Sequence, residues 1–240
     1  MLANLSPTSY QSGTFSKDVH VPTSFLRELL DFITDELPKW RDRTDRERET
    51  SETILTSQLC AHLNSAARNS SGWDILQFRI EEPDEQHRVR RIDLVPAPRG
   101  TTVWIEGRGY HDFDSLMPIE CKRLPTPQDR KKRDEREYVF NQYGSPGGIQ
   151  RFKAGHHGAS HSLGAMIGYI QEETVALWHR QVVEWIIQLA KTGEPGWTET
   201  DVPKIVRSDE TLRSAVLISS HDREGGRSRI ELRHLWLEMN

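Results

Sequence analysis

Met117-Pro118-Ile119-Glu120-Cys121-Lys122-Arg123-Leu124 is the stretch on which the reading of this chain turns. Taken as a strand, its side chains alternate between two faces. Ile119 and Cys121 then point into a core, and Glu120 and Lys122 point together the other way. A carboxylate and an ammonium sharing one face of an otherwise apolar strand have two explanations. One is an ion pair on a half-solvated sheet, common and worth about 1 kcal/mol or less. The other is a metal-ligating carboxylate beside a lysine that stabilises developing negative charge. The choice depends on whether further carboxylates converge on the same place.

Upstream, strand patterns continue. Residues 87–95 alternate, with Ile92 and Leu94 on one face and Arg91, Asp93 and Val95 on the other, before a Pro-Ala-Pro break. Residues 73–80 repeat the theme, 101–106 make a short strand, and 107–116 read as a polar loop or hairpin. Before these, 51–68 reads as a helix capped by Thr50 or Ser51, with Leu55, Leu59, Leu63 and Ala66 as its apolar stripe. Glu52 falls about 20° from Leu59 and Leu63 on the helical wheel, at the head of the buried face. The helix dipole favours an acid there on its own account, so Glu52 is either a wet first-turn residue or part of a site. An earlier helix is expected over 24–40 (Phe25, Leu26, Leu29, Leu30, Ile33, Leu37), and residues 1–20 read as a flexible lead.

Downstream, 125–142 mixes charges in the manner of a solvated helix or mobile loop. Residues 146–158 combine a Gly-rich start with Ile149 and Phe152 at helical spacing, a short helix exposing amide donors. Residues 165–170 read as a buried strand. An amphipathic helix follows over 174–191 (Trp178, Val182, Trp185, Ile186, Leu189), stopped by Gly193 and Pro195. The chain ends in a hairpin, 215–237, turning at Gly225-Gly226. This order predicts an α/β or α+β fold: a central mixed β-sheet flanked by helices, with a C-terminal β-hairpin.

Composition narrows the class. A chain of 240 residues, 35% hydrophobic and 28% charged, suits one large globular domain with extensions. No apolar run approaches bilayer length, and no basic-then-apolar leader opens the chain. Two cysteines, Cys60 and Cys121, cannot build a disulfide framework, so the expected setting is a reducing cytoplasm. A net charge of −4 excludes wrapping nucleic acid by charge alone. The charge is uneven, however. Between 120 and 160, nine lysines and arginines stand against five acids, which places phosphate attraction beside potential cation ligands.

Asp93 and Glu120 fall at the ends of adjacent strand candidates, and Glu120-Cys121-Lys122 is the only E-x-K in the chain. On Arg91-Ile92-Asp93-Leu94-Val95 and Ile119-Glu120-Cys121-Lys122-Arg123 the sequence resembles the PD-(D/E)xK nuclease superfamily, which has the restriction-endonuclease-like fold. The helix carrying Glu52 matches the acidic helix that precedes these strands in many members, and the alternation of elements over 51–170, about half the chain, matches the family core. Ile92 stands where the motif name has proline, a loose position in the superfamily.

The resemblance implies one nuclease-like domain over 21–240, with its core at about 51–190 and a C-terminal extension over 191–240. It implies hydrolysis of DNA phosphodiester bonds with Mg²⁺, for which Mn²⁺ would substitute, in restriction or anti-phage defence. Asp93, Glu120, Glu52 and the backbone carbonyl of Cys121 would hold the ion. Lys122 would orient water or stabilise charge on the phosphate, with Gln150 as an auxiliary catalytic residue and Arg123, Arg151 and Lys153 as nucleic-acid contacts. The implied partners are DNA and either a second copy of the chain or an ATPase- or helicase-type subunit. The alternative is a catalytically silent subunit that keeps the fold and binds nucleic acid or assembles a complex.

Other motifs carry less. His156-His157-x-x-x-His161 places three imidazoles in a Gly-rich loop without fixed metal geometry. His221 and Arg223, just before the hairpin turn, are placed either to reach a phosphate or to serve as turn chemistry, the commoner use of such residues there. No HExxH, GxxxxGK[ST] or GxSxG pattern occurs.

Overall fold

The computed structural model describes residues 18–84, 86–127 and 133–240. A seven-stranded mixed sheet forms its centre, in the order β2 (Leu76–Pro83), β3 (Arg91–Pro98), β6 (Ile119–Leu124), β7 (Leu163–Ile170), β10 (Ile230–Glu238), β9 (Ser214–His221), β8 (Lys204–Asp209). The strands β6, β7 and β10 run parallel, and the flanking pairs are antiparallel. A smaller sheet joins β1 (Asp18–His20), β4 (Thr102–Ile105) and β5 (Arg108–Tyr110). Its Val103, Ile105 and Tyr110 pack into the main core.

The period-2 alternation of the central strands builds two cores, one on each face. On the first face, Ile119 and Cys121 of β6 meet Ala165, Ile167 and Tyr169 of β7 under α1 (Phe25–Arg41) and α2 (Glu52–Arg68). The apolar stripes of those helices, including Leu29, Ile33, Leu37, Leu55, Leu59 and Leu63, are buried there. On the second face, Leu124, Met166, Ile170, Leu232 and Trp236 pack against α3 (Gly148–Lys153) and α4 (Val175–Lys191). All of β7 is buried, as the middle strand of a sheet covered on both sides must be. Gly168 of β7 is required by this packing. It pairs with Trp236, and a Cβ there would stand 2.6 Å from the indole Cδ1.

The α/β expectation therefore describes the molecule, with several corrections. Residues 133–142 are neither a solvated helix nor a loose loop: Tyr138 and Val139 are fully buried and Phe140 nearly so. The mixed charges end in an aromatic-aliphatic plug that fills the second core. Residues 128–132 of that segment lie outside the described residues, as do residues 1–17 of the expected flexible lead. The last residues of that lead form β1, parallel to β4. The polar 107–116 stretch begins as the second half of a hairpin, turning at Glu106 and Gly107 with φ of 50° and 80°. Such a left-handed pair matches the twist of a two-residue turn. The strand β8 was hidden because five of its six side chains are exposed, so it carries no alternation. Among the described residues, no helix is long and apolar enough to cross a membrane.

Candidate functional site

The strands bearing the two acids pair only at Leu94 and Ile119. Beyond that point the ladder opens, and the side chain of Asp93 enters the gap. Its Oδ2 accepts the backbone N–H of Cys121 at 2.7 Å, standing in for a neighbouring carbonyl. On the far side, β6 pairs with β7 in regular parallel register, which fixes the directions of Glu120 and Lys122.

Lys122 is the hub. Its Nζ lies 2.9 Å from Glu120 Oε1, 3.1 Å from Glu52 Oε1 and 3.6 Å from Asp93 Oδ2, and it donates to the Cys121 carbonyl at 2.9 Å. The four oxygens expected to share a cation thus converge on one buried ammonium. Glu52 reaches it from the first turn of α2, and its other oxygen accepts the N–H of Arg123 at 3.2 Å. A wet first-turn acid would make neither bond.

Glu120 is fully buried and is surrounded by cations. Its Oε1 also receives Arg151 from α3. Its Oε2 lies 3.2 Å from His157 Nε2, an ion pair too poorly aligned to count as a hydrogen bond. On its other side, His157 Nδ1 lies 3.5 Å from Asp84 Oδ2. Asp84 Oδ1 in turn accepts the N–H groups of Gln86 and His87, pinning the turn between β2 and β3.

These surroundings divide the titratable groups. Burial, then the neighbouring Glu120, pushes Asp93 up to about 7, against the pull of Lys122. Burial alone would raise Glu120 as well, but Lys122, Arg151 and His157 outweigh it and hold that carboxyl well below the ordinary range. Burial works against the charge on His157, yet Asp84 and Glu120 raise it to about 9. Lys122 stays charged because its three carboxylates outweigh its burial. Two carboxylates with separated proton affinities beside a fixed lysine form an arrangement typical of acid–base and charge-stabilising sites.

Asp93, Arg151 and His157 open onto a cavity of about 370 Å³, whose walls also carry Val89, Arg90 and Arg91. A larger cavity, about 660 Å³, is lined by Arg123, Arg133, Trp178 and Trp185 and has none of the converging carboxylates on its wall.

Asp93, Glu120, Lys122, Glu52, the Cys121 carbonyl and Arg151 are brought together; three other expected residues stand elsewhere. Gln150 points back along the chain: its Oε1 accepts the N–H groups of Gly147 and Asn141, capping α3 and tying down the preceding loop. The guanidinium of Arg123 donates to the Thr50 carbonyl, holding the start of α2. Lys153 is buried, 2.7 Å from Asp201 Oδ1 and 5.0 Å from the centre of the Trp197 ring, so it is no phosphate contact in this arrangement. Residues 151 and 153 are about 200° apart on a helix, which sends their side chains to opposite faces.

Lys153 instead ends a buried hydrogen-bonded chain that anchors α3. The donor inventory allows one consistent direction: Trp236 donates to Tyr138, Tyr138 to His234 Nδ1, and His234 Nε2–H to Ser219. Ser219 then donates to His221 Nε2, and His221 Nδ1–H to Asp201. Both imidazoles are neutral in this scheme, as their burial requires; it pushes His234 down to about 3 and lowers His221 as well. His221 is thus a core group rather than turn chemistry.

The structure adds His157 and Asp84, which the sequence reading left outside the site. They are 73 residues apart, and nothing in the local pattern separates His157 from His156. The three imidazoles of the 156–161 loop do not converge: His161 Nε2 contacts the Ser115 carbonyl. Comparison of the chain with family descriptions, with curated proteins and with solved structures finds no match at any of the three levels.

Proposed function

We propose that the chain is a divalent-metal-dependent endonuclease that hydrolyses DNA phosphodiester bonds, of the kind that serves restriction or anti-phage defence. One observation carries this reading: three carboxylates and a backbone carbonyl from α2, β3 and β6 meet at the Lys122 ammonium. A surface ion pair needs one acid, and this lysine has three.

The donor set is all oxygen, the chemistry that Mg²⁺ and Mn²⁺ prefer. Among the described residues no three His, Cys, Asp or Glu side chains form a ready cage, because the ammonium occupies the middle of the carboxylates. With Lys122 withdrawn toward a phosphate, Asp93, Glu120, Glu52 and the Cys121 carbonyl would hold the ion. The metal, when bound, polarises the phosphoryl group and acidifies water.

The chain's own residues supply the rest. Lys122 moves its charge from the carboxylates to the non-bridging phosphate oxygens, where negative charge grows. Arg151 exchanges Glu120 for the phosphodiester, to which a guanidinium binds in fork geometry. Asp93, fastened through Oδ2 to the Cys121 amide, is held in position to offer its other oxygen to the ion. The imidazolium of His157 keeps Glu120 ionised throughout.

The test is conversion of supercoiled plasmid to nicked or linear DNA in Mg²⁺ or Mn²⁺, with chelator as control. The parent should cut, and Glu120→Ala and Lys122→Ala should not. Cutting that survives both substitutions refutes the assignment.

The complete burial of Glu120 favours a second reading, a nuclease-fold subunit that is silent as it stands and needs DNA, a second copy or an ATPase- or helicase-type partner to open it. Calorimetric titration with Mg²⁺ and Mn²⁺ separates the two: the silent subunit takes up neither.

A further inference from the structure

The basic residues expected to hold the substrate are already engaged, Arg123 on Thr50, Arg151 on Glu120 and Lys153 on Asp201. Uncommitted positive charge lies instead on the turn between β2 and β3. The side chains of Arg88 and Arg90 make no hydrogen bond or ion pair with any described residue. Val89 between them is 94% exposed, and Phe113, at the tip of the β5–β6 connection, is 91% exposed.

Both tips are held in place. Asp84 fixes the first by accepting from Gln86 and His87, and Arg79 fixes the second by donating to the Asp112 and Phe113 carbonyls. Two cavities flank the turn. One, about 310 Å³, is lined by Arg79, Arg88, Arg108 and Phe113. The other is the cavity at Asp93, lined by Val89, Arg90 and Arg91.

The acids on these walls are mostly spent within the protein. Glu82 pairs with Arg79, Asp84 with His157, Asp93 with Lys122, and Asp114 accepts from His111. Among the described residues lining the two cavities, that leaves one acid, Glu81, to the four arginines Arg88, Arg90, Arg91 and Arg108. Exposed apolar tips set among arginines that outnumber the acids beside them are poorly suited to an ordinary protein partner and well suited to a polyanion with apolar steps between its charges. Duplex DNA answers that description: arginines take the phosphates, and an apolar side chain wedges against the base pairs.

We propose that the Arg88-Val89-Arg90-Arg91 turn and the Phe113 tip form a duplex-DNA-binding surface, which lays the backbone across the Asp93 cavity. It names the substrate surface of the endonuclease reading and rests on it for its purpose. The Asp84–His157–Glu120 contacts tie this turn directly to the candidate site.

Binding of the full chain to a short labelled duplex, followed by anisotropy in chelator across a salt series, tests the assignment. Arg88→Ala/Arg90→Ala should weaken binding roughly tenfold and flatten the slope of log affinity against log salt by about 2, the loss of two phosphate contacts. Val89→Ser/Phe113→Ser should leave the slope alone but reduce DNA bending, read by energy transfer between end labels. All four positions are on turns and lie outside both cores, so the variants should unfold at the parent temperature.

An unchanged affinity and slope in Arg88→Ala/Arg90→Ala overturns the proposal, as does a parent that prefers single strands or ignores the duplex. The two readings fail separately. A parent that binds through this turn but never cuts sinks the endonuclease reading alone. One that cuts, while Arg88→Ala/Arg90→Ala binds as tightly as the parent, sinks this one alone.

Discussion

Replacing Lys122 with methionine removes the charge at the centre of the site while keeping an unbranched chain of similar length. The ammonium is nearly inaccessible and touches Glu120, Glu52, Asp93 and the Cys121 carbonyl. Without it, Glu120 keeps Arg151 and His157, but Asp93 and Glu52 lose their compensating cation. Breaking a buried ion pair from one side costs about 3–5 kcal/mol. For a chain of this size that lowers the melting temperature by on the order of 10 °C. The deficit should be largest near pH 8 and shrink toward pH 5, where Asp93, already raised to about 7 with the ammonium present and higher without it, is protonated and no longer needs a partner. The variant should also respond more strongly to Mg²⁺ than the parent, because the cation no longer competes with the ammonium. At a concentration near a hundred times the dissociation constant, the gain is about 2.7 kcal/mol. Calorimetric melts of parent and variant, with and without Mg²⁺ at both pH values, measure all three effects, and the plasmid assay should find the variant inactive. A loss below about 1 kcal/mol, well short of a broken buried pair, or a Mg²⁺ gain no larger than the parent's, refutes the account of Lys122 as a stand-in for the ion.

Further outcomes follow from the same groups. Asp93 has a folded value above its unfolded one, so the associated stability is complete below about 3.8 and lost as pH rises through about 7. Asp93→Asn, which keeps an acceptor for Cys121, should therefore be more stable than the parent by roughly 2–4 kcal/mol at pH 8 and no more stable near pH 4 in a denaturant series. His157 is also raised, to about 9, so its stabilisation is present below about 6.5 and fades through 9. His157→Gln should cost about 2–3 kcal/mol at pH 6 and little above pH 9.5, and an equal loss at both would show that charge is not its contribution. His234 is shifted the other way, to about 3, so acid favours the unfolded chain progressively from about pH 6.5 downward. Ser219→Ala, which strands the His234 donor and the His221 acceptor in the core, should cost about 2–4 kcal/mol at neutral pH. A neutral result in urea unfolding would mean that the buried chain can be broken without penalty.

The part of the site that was legible in the sequence is the part governed by short periods. A repeat of two placed Glu120 with Lys122, and a repeat of 3.6 brought Glu52 to the head of a buried stripe. The same wheel, applied to the six residues of α3, separates Arg151 from Lys153, so only one of the two can face the site. His157 and Asp84 were out of reach for a different reason: their meeting depends on how the β2–β3 turn folds against the loop after α3, and no local pattern encodes that distance. The strand β8 stayed hidden because solvent on both sides erases alternation. Tyr138 and Val139 were masked by the charged residues before them, although three consecutive bulky apolar side chains are themselves a burial signal.

Asp93 serves as a rivet between two halves of the sheet, since its oxygen replaces the missing rung between β3 and β6. A chain of this fold with no hydrolytic activity would still need an acceptor at that position to keep the strands fastened. An oxygen-bearing side chain at 93 is therefore weak testimony to activity. Glu52, whose side-chain bonds reach only Lys122 and the Arg123 amide among the described residues, is the more informative marker of the proposed chemistry.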